Sequence, residues 1–96
     1  MEEKNEEDFL KLLGAKGTKQ ILEFLGRNST AQYRQLMDFV NTPTLNTRLR
    51  DLLLFGIVSH HLERVETRRE WYELTEKGKQ VLQVLQELLE LIKEPL

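Results

Sequence analysis

Apolar residues recur at helical spacing in five stretches of this chain, and β-branched and aromatic residues are concentrated in a sixth. The spacing predicts helices over residues 6–13 and 18–25, each followed by a glycine that ends it, Gly14 and Gly26. Residues 1–5 precede the first helix, and we expect them to be frayed. These two helices contribute the first part of the predicted core.

Two further helices follow, with only a short turn between them. Residues 31–40 carry apolar side chains at the i, i+3, i+4 and i+7 positions counted from Tyr33, the pattern of an amphipathic helix. Thr42 is a good helix cap and Pro43 suits the first helical position, so the next helix starts there and continues to Gly56. This layout is that of a helix-turn-helix, although it is also common in other all-α proteins.

The second helix of that pair has an apolar side and a polar side. At about 100° per residue, its leucines gather on one side, and threonine, asparagine and arginine lie opposite. Such side chains can read base edges, because arginine bonds to guanine, asparagine to adenine, and threonine to a base or to the thymine methyl group. A solvated helix face is the alternative. The candidate DNA-contacting residues are Thr44, Asn46, Thr47 and Arg50, with Arg48 at the edge of the apolar stripe, where it could reach a phosphate or an acid within the fold.

The β-rich stretch lies directly after this helix. Residues 57–64 and 68–74 predict two strands, and residues 65–67 form the tip that joins them. Positive charge is concentrated near the tip, at Arg64, Arg68 and Arg69. Glutamates lie between these arginines, so cross-strand ion pairs are the alternative to DNA contact. We expect at least one of the three arginines to contact a phosphate.

The last predicted helix, residues 76–94, has an apolar stripe that covers nearly half of its circumference. A small domain seldom needs so wide a stripe at its end, and burial of one exposed leucine contributes about 1.5–3 kcal/mol. Steps of seven residues along the stripe suit helix–helix packing. We therefore expect a homodimer formed by this helix and the first one, the alternative being packing within one chain. The predicted interface residues are Phe9, Leu13, Val81, Leu82, Val84, Leu85, Leu88, Leu89, Leu91 and Ile92.

Composition and charge sharpen this interpretation. A chain of 96 residues has room for one domain, which we expect to span residues 1–96. The net charge of −2 is unevenly distributed: residues 1–8 carry −4, residues 76–96 carry −1, and residues 9–75 carry +3. The predicted DNA-contacting part is therefore the basic one, although +3 also fits a mixed solvated surface.

Several other classes of protein are disfavoured. The sequence has no cysteine, which excludes disulfides, thiolate metal sites and thiol-based sensing. No apolar run approaches the roughly 20 residues of a membrane span, and the acidic N-terminus lacks a signal-peptide core, so we expect a cytoplasmic protein. His60 and His61 are neighbours on a predicted strand and point to opposite faces, which disfavours a metal site. Without a phosphate loop or catalytic triad, we expect no enzyme activity and no cofactor.

Several short motifs occur in an order that resembles a known family. These are Thr44-Leu45-Asn46-Thr47-Arg48-Leu49-Arg50-Asp51-Leu52, Gly56-Ile57-Val58, and Tyr72-Glu73-Leu74-Thr75-Glu76-Lys77-Gly78. Together with the segments before them, they are similar to the HxlR-type branch of the winged helix-turn-helix transcription regulators, which are related to MarR-like proteins. The similarity covers roughly residues 10–92. Two departures are notable: Gly14-Ala15-Lys16-Gly17 stands where the branch usually has G-G-K-W, and the N-terminal cysteine of many members is missing.

The resemblance implies a mainly α fold with a small β-hairpin (α+β), a winged helix-turn-helix with additional helices at both ends. It implies a recognition helix over residues 44–55, a wing over residues 62–70, and dimer contacts from both terminal helices. The expected function is sequence-specific binding of double-stranded DNA, as a homodimeric repressor on an inverted repeat. A winged-helix adaptor that binds proteins instead of DNA is the alternative. Any effector would have to act without a thiol.

Overall fold

The computed structural model describes residues 3–95, which form five helices and a small antiparallel sheet. The elements are α1 (Glu3–Gly14), α2 (Thr18–Asn28), β1 (Thr30–Ala31), α3 (Tyr33–Leu36), α4 (Thr42–Leu54), β2 (Val58–Arg64), β3 (Arg68–Leu74) and α5 (Glu76–Lys93). The sheet has the strand order β1-β3-β2. The predicted class is therefore confirmed: a mainly helical winged helix-turn-helix with a small sheet and a helix at each end.

The hydrophobic core lies where α2, α3 and α4 converge on one face of the sheet. Full burial of an aliphatic side chain stabilises the fold by about 1.5–3 kcal/mol, so this cluster dominates the stability of the protomer. Its most deeply buried members, with 0% or 1% of their surface exposed, are Ile21, Leu22, Leu25, Ala31, Leu36, Leu45, Leu52 and Ile57. Most of these side chains come from α2 and α4, so the predicted apolar faces of both helices point inward.

The first helix begins earlier than its apolar pattern predicts. The helix α1 starts at Glu3, and Met1 and Glu2 lie outside the described residues, so the expected fraying of the N-terminus stays a prediction. The turn after α1 is fixed by Thr18, whose buried hydroxyl donates to the Leu12 carbonyl oxygen at 2.6 Å. Gly17 has a left-handed backbone (φ 89°), and a Cβ there would lie 2.5 Å from a methyl carbon of Val40.

The second helix runs past the glycine that was predicted to end it. α2 continues to Asn28, and the chain leaves the helix at Ser29, which has a φ of 68°. Gly26 lies inside the helix where α5 packs closely, since a Cβ at this position would lie 2.5 Å from Leu82 Cδ2 and would force that side chain to shift. The glycine marks a close approach between α2 and α5 and does not mark a helix end.

The third predicted helix is replaced by a strand, a short helix and a turn. Thr30 and Ala31 pair with β3 as an edge strand that the sequence pattern did not reveal. The N-cap of α3 is Gln32, which forms a capping box with Gln35, so neither Ser29 nor Thr30 caps the helix. The prediction of a helix over residues 31–40 is right only for Tyr33–Leu36: backbone pairing to β3 takes Ala31 out of the helix, and turns follow Leu36.

After α3 the chain tightens into turns with i to i+3 hydrogen bonds. The amide of Met37 donates to the Arg34 carbonyl oxygen, and the amide of Phe39 donates to the Leu36 carbonyl oxygen. The turns still bury Val40, with 6% of its surface exposed, but leave Met37 45% exposed. Residues 37–40 therefore contribute to the core without being helical.

The two-stranded hairpin matches the predicted strands to within one residue. β2 begins at Val58, and the register pairs Val58 with Leu74 at the base and Arg64 with Arg68 at the tip. The base is fixed by Thr75, whose amide donates to the Ile57 carbonyl oxygen and whose hydroxyl donates to the Gly56 carbonyl oxygen at 2.6 Å. The wing thus extends from a junction that also starts α5.

The last helix lies on the core only through its first half. Thr75 caps α5 by accepting a hydrogen bond from the Gly78 amide, and Gly78 and Leu82 are its buried residues. The radius of gyration of 14.4 Å exceeds the value of roughly 12.5 Å expected for a compact chain of this length. The molecule is accordingly elongated, with extents of 56 × 30 × 26 Å.

Candidate nucleic-acid interface

The polar face of α4 is presented outward because its apolar face is anchored in the core. Leu45, Leu49 and Leu52 are buried with at most 3% of their surface exposed. The helix begins one position earlier than predicted: Asn41 is the N-cap and its side chain accepts from the Thr44 amide at 3.0 Å, and Thr42 is already helical. This capped end holds the first turn of α4 at the protein surface.

Four candidate residues share the outward side of α4 but differ in their freedom. Asn46 and Arg50 are exposed, whereas Thr44 and Thr47 are half-buried. The hydroxyl of Thr47 donates to the Pro43 carbonyl oxygen at 3.1 Å. Arg50 lies 3.7 Å from the Asp51 carboxylate, and its side chain is 68% exposed, so this ion pair is weak.

Arg48, the candidate at the edge of the apolar stripe, is held against the protein. Its Nε donates to the Lys16 carbonyl oxygen at 2.8 Å, a bond across 32 residues of sequence. The sequence suggested a phosphate or an internal acid as the partner of Arg48, and the Lys16 carbonyl oxygen is neither of these. The guanidinium instead joins α4 to the turn between α1 and α2 and so helps to position the helix.

A residue outside the predicted set also reaches the outward side of α4. Tyr33 was assigned to the core face of a helix, yet its hydroxyl donates to Asn46 Oδ1 at 2.5 Å. The ring is half-buried and packs against the core, while the hydroxyl emerges beside α4. No feature of the sequence alone indicates this bond, because it joins residues 13 positions apart that meet only through the turn between α3 and α4.

The β2–β3 hairpin has two distinct faces. Val58 and Leu74 are buried at its base, so residues that alternate with them, including Arg64 and Arg68, lie on the same face as the core. Arg69 lies on the other face, over the Trp71 ring at 5.6 Å from the ring centroid. The predicted trio of arginines is therefore divided between the two faces.

The arginines of the hairpin are paired loosely with the interleaved glutamates. Arg68 lies 3.6 Å from the Glu70 carboxylate and Arg69 lies 3.8 Å from that of Glu63, with both arginine side chains at least 64% exposed. Exposed pairs of this kind contribute little stability and exchange readily. Arg64 and Arg68 are direct cross-strand neighbours, and two like charges in such positions repel each other. An anion at the tip would relieve this repulsion.

The base of the hairpin is stiffened by stacked aromatic rings. His60 stacks on Tyr72 with ring centroids 4.7 Å apart, and His61 stacks on Trp71 at 5.2 Å. Burial raises the pKa of Tyr72 above its ordinary value, and the nearby Glu70 and Tyr33 raise this pKa further. The hydroxyl of Tyr72 thus stays protonated throughout the neutral range.

A separate apolar surface lies between α1 and α5. Its groove is lined by apolar residues of both helices and continues onto the exposed end of α5, where Leu91 and Ile92 are 61% and 74% exposed. Of the predicted interface residues, Leu82 belongs to the protomer core instead, because it fills the space beside Gly26 and is only 8% exposed. The groove-lining apolar residues are Phe9, Leu13, Val81, Val84, Leu85 and Leu88.

Two other kinds of site have no counterpart in the part of the chain that the structure describes. Within residues 3–95, no group of three or more histidine, aspartate or glutamate side chains is arranged to hold a metal ion. No helix in the same range combines the length and apolarity that a membrane crossing requires.

A capped helix with a polar outward face, preceded by a short helix and followed by an arginine-bearing hairpin, defines a winged helix-turn-helix protein. The family model described as HxlR-like helix-turn-helix matches residues 12–96. This match covers most of the chain, and the protein belongs to the HxlR-like helix-turn-helix family. It is accordingly a DNA-binding transcription regulator and not an enzyme.

Solved structures of similar fold include two forms of one regulator. Diamide-treated YodB from B. subtilis is 26% identical with a TM-score of 0.80, covering 99% of this chain and 98% of that one. The reduced form of the same transcriptional regulator is also 26% identical with a TM-score of 0.77, covering 94% and 89%.

A third structure extends the fold likeness to another family. A MarR-family regulator from Enterococcus faecalis V583 has a TM-score of 0.77 at 20% identity, covering 97% of this chain and 87% of that one. At this identity the likeness concerns the fold alone. Among curated proteins, no sequence matches this chain significantly.

Proposed function

We propose that this protein is a sequence-specific regulator that binds an inverted repeat as a homodimer and represses transcription by covering a promoter. The observation that carries the proposal is the placement of an exposed Arg50 on α4 and an exposed arginine pair on the adjoining hairpin. A protein-binding adaptor would not need arginines at both places.

In this proposal α4 enters the major groove and reads bases. Arg50 bonds to a guanine, Asn46 bonds to an adenine, and the Thr47 methyl group contacts a thymine methyl or a sugar. Thr44, at the capped end, contacts a base or a phosphate. Arg48 acts by holding α4 in place, since its guanidinium is bonded to the Lys16 carbonyl oxygen.

The hairpin supplies attraction that does not depend on sequence. Arg64 and Arg68 share the face of the hairpin that continues from the core, and a phosphate between them would neutralise their mutual repulsion. Arg69, on the opposite face, could contact a phosphate only by leaving Trp71 and Glu63. We therefore assign the main phosphate contacts to Arg64 and Arg68.

The apolar groove between α1 and α5 supports a dimer of two such protomers. Val84 and Leu88 are 61% and 55% exposed at the groove, and each would contribute about 1–2 kcal/mol if a partner helix covered its remaining exposed surface. A two-fold axis through this surface would present two α4 helices to successive major grooves, about 34–36 Å apart, on an inverted repeat. Occupation of such a site would block a promoter, which makes repression the simplest outcome.

Selection of bound DNA from a random pool, at low and at moderate salt, tests the reading of sequence and its symmetry together. We expect one enriched palindrome whose half-site centres are about one helical turn, or roughly 10 base pairs, apart. An enriched single half-site would remove the dimer from the proposal but keep the reading of sequence. Recovery of unselected DNA at both salt concentrations would contradict sequence-specific binding.

The dimer surface is tested by Leu88→Glu, with Leu10→Glu as the matched control. Both leucines are exposed, at 55% and 67%, but only Leu88 lines the groove. In sedimentation velocity we expect Leu88→Glu to yield monomers and Leu10→Glu to remain dimeric, with unchanged helix content for both. If the unaltered protein sediments as a stable monomer, the homodimer is wrong.

A further inference from the structure

We infer that Tyr33 is a positioning residue for base recognition: its hydroxyl sets the direction of the Asn46 amide and so fixes which base Asn46 prefers. The inference rests on the proposed function, since it concerns how the α4 surface reads DNA. Its basis is the 2.5 Å hydrogen bond from the Tyr33 hydroxyl to Asn46 Oδ1, at the exposed side of α4.

An asparagine at the surface of a helix is ordinarily ambiguous as a reader of bases. Its amide carries an acceptor and a donor on a similar framework, and rotation by about 180° about the last side-chain torsion exchanges them. Recognition of adenine requires one of these orientations, with the oxygen toward the adenine amino group and the nitrogen toward N7. A tyrosine hydroxyl could donate to the amide oxygen or accept from the amide nitrogen, but donation to the strongly accepting amide oxygen is the better bond. The Tyr33 hydroxyl makes that bond in this structure, and it favours the orientation that adenine requires.

The hydroxyl of Tyr33 is well suited to this task because the tyrosine itself is fixed. Its ring is half-buried against the core and adjoins Tyr72 of the sheet, whose pKa it helps to raise. α3 is anchored by the Gln32–Gln35 capping box and by pairing of the preceding residue, Ala31, with Tyr72. A tyrosine ring has only two side-chain torsions, so anchoring of the ring also fixes the hydroxyl.

The bond leaves the amide able to bind a base. Oδ1 has two lone pairs, of which the Tyr33 hydroxyl uses one, and Asn46 Nδ2 donates to no group in residues 3–95. The free donor can bond to purine N7 while the second lone pair accepts from the adenine amino group. A guanine at the same position would present its O6 acceptor to the amide oxygen, which is repulsive. The hydroxyl thereby favours adenine over guanine.

The test compares Tyr33→Phe, which removes only the hydroxyl, with Tyr72→Phe as a matched control. Tyr72 is a neighbouring half-buried tyrosine for which no hydrogen bond to Asn46 occurs among the described residues. Binding is measured on probes that carry each single base substitution in the selected site. Asn46→Ala identifies the base pair that Asn46 reads, as the position where its discrimination disappears.

At that base pair we expect Tyr33→Phe to lower the preference for adenine over guanine by about three- to tenfold, the effect of removing one net hydrogen bond. Discrimination at the position read by Arg50 should not change, and Tyr72→Phe should change neither. Adding Tyr33→Phe to Asn46→Ala should have no further effect, since the hydroxyl acts only through the amide. A uniform loss of affinity on all probes, or unchanged discrimination by Tyr33→Phe, would overturn the inference.

A measurement without DNA separates this inference from the proposed function. The side-chain NH2 resonances of Asn46, identified by their absence in Asn46→Ala, should shift in Tyr33→Phe and not in Tyr72→Phe. If the resonances shift but no variant binds DNA with any sequence preference, the proposed function fails while the hydrogen bond stands. If the resonances do not move, the hydroxyl does not hold the amide and the inference is wrong.

Discussion

The α4 surface carries five candidate DNA-contacting residues and the β2–β3 hairpin carries three, and the two regions hold them in different ways. On α4 three of the polar side chains are tied back to the protein, as Asn46 is to Tyr33, Thr47 to Pro43 and Arg48 to Lys16, whereas Arg50 has only a loose ion pair with Asp51. On the hairpin, Arg68 and Arg69 form exposed ion pairs with nitrogen–oxygen distances of 3.6 and 3.8 Å, and Arg69 also lies over the Trp71 ring.

This difference matches what each kind of DNA contact demands. Reading a base edge depends on donor and acceptor directions, so its side chains benefit from being fixed before binding. Attraction to a phosphate depends mainly on charge and distance, so a long mobile arginine is sufficient. The comparison suggests that the helix supplies preference among sequences, whereas the hairpin supplies affinity for DNA in general.

The largest expected effect is on stability, at the junction that α4 and the hairpin share. A Cβ at Gly78 would lie 2.0 Å from the Ile57 carbonyl oxygen, at the junction of α4, the hairpin and α5. We expect Gly78→Ala to lower the free energy of unfolding by about 3 kcal/mol, because α5 and the backbone of Ile57 must move apart to make room for the methyl group. Urea denaturation measures this loss. Gly14→Ala is the control, since nothing lies within 4 Å of its added Cβ, and an equal loss in both variants would contradict the assigned clash.

The next prediction isolates the helix. Arg50→Ala should weaken binding to the selected site by about 1–3 kcal/mol and relax the preference at one base pair, because the variant cannot form the bidentate bonds to guanine. Fluorescence anisotropy on selected and scrambled DNA measures both effects. Thermal stability should stay constant, since Arg50 is 68% exposed and its pair with Asp51 is loose. Equal weakening on both DNAs would place Arg50 with the phosphate-binding residues instead.

The third prediction isolates the hairpin and has the smallest effect on discrimination. The double variant Arg64→Gln, Arg68→Gln should weaken binding to selected and scrambled DNA equally, because phosphates are the same in both. The slope of log affinity against log salt should flatten by about 0.9 for each phosphate that the variant no longer neutralises. Titrations at several salt concentrations measure this slope. A weakening confined to the selected sequence would reverse the roles proposed for helix and hairpin.

Much of the fold was predictable because the deciding interactions are local. Thr75 before α5 has the side chain of a helix cap, and the strands around residues 65–67 carry residues typical of sheets on both sides of a polar tip. The apolar face of α4 also follows directly from its spacing, with Leu45, Leu49 and Leu52 all buried. Each of these features depends on neighbours within one or two turns of chain.

The wrong predictions share a different origin. Gly26 was expected to end α2, but it lies inside the helix, where Leu82 of α5 packs against the position that a side chain would occupy. Ala31 was expected in a helix, but β3 offered its backbone a pairing partner about 40 residues away. In both places a contact with a residue distant in sequence outweighed a local preference, and no local sequence pattern predicts such a contact.

The sequence by itself determined the class of fold, the order of its elements and the outward side of α4, because helix periodicity, caps and turn residues encode them within short windows. Only the tertiary structure decided that Arg48 faces the Lys16 carbonyl oxygen, that Leu82 belongs to the core and that Tyr33 holds Asn46. Hydrogen bonds and close packing act over a few ångströms, so they depend on which distant parts of the chain folding brings together.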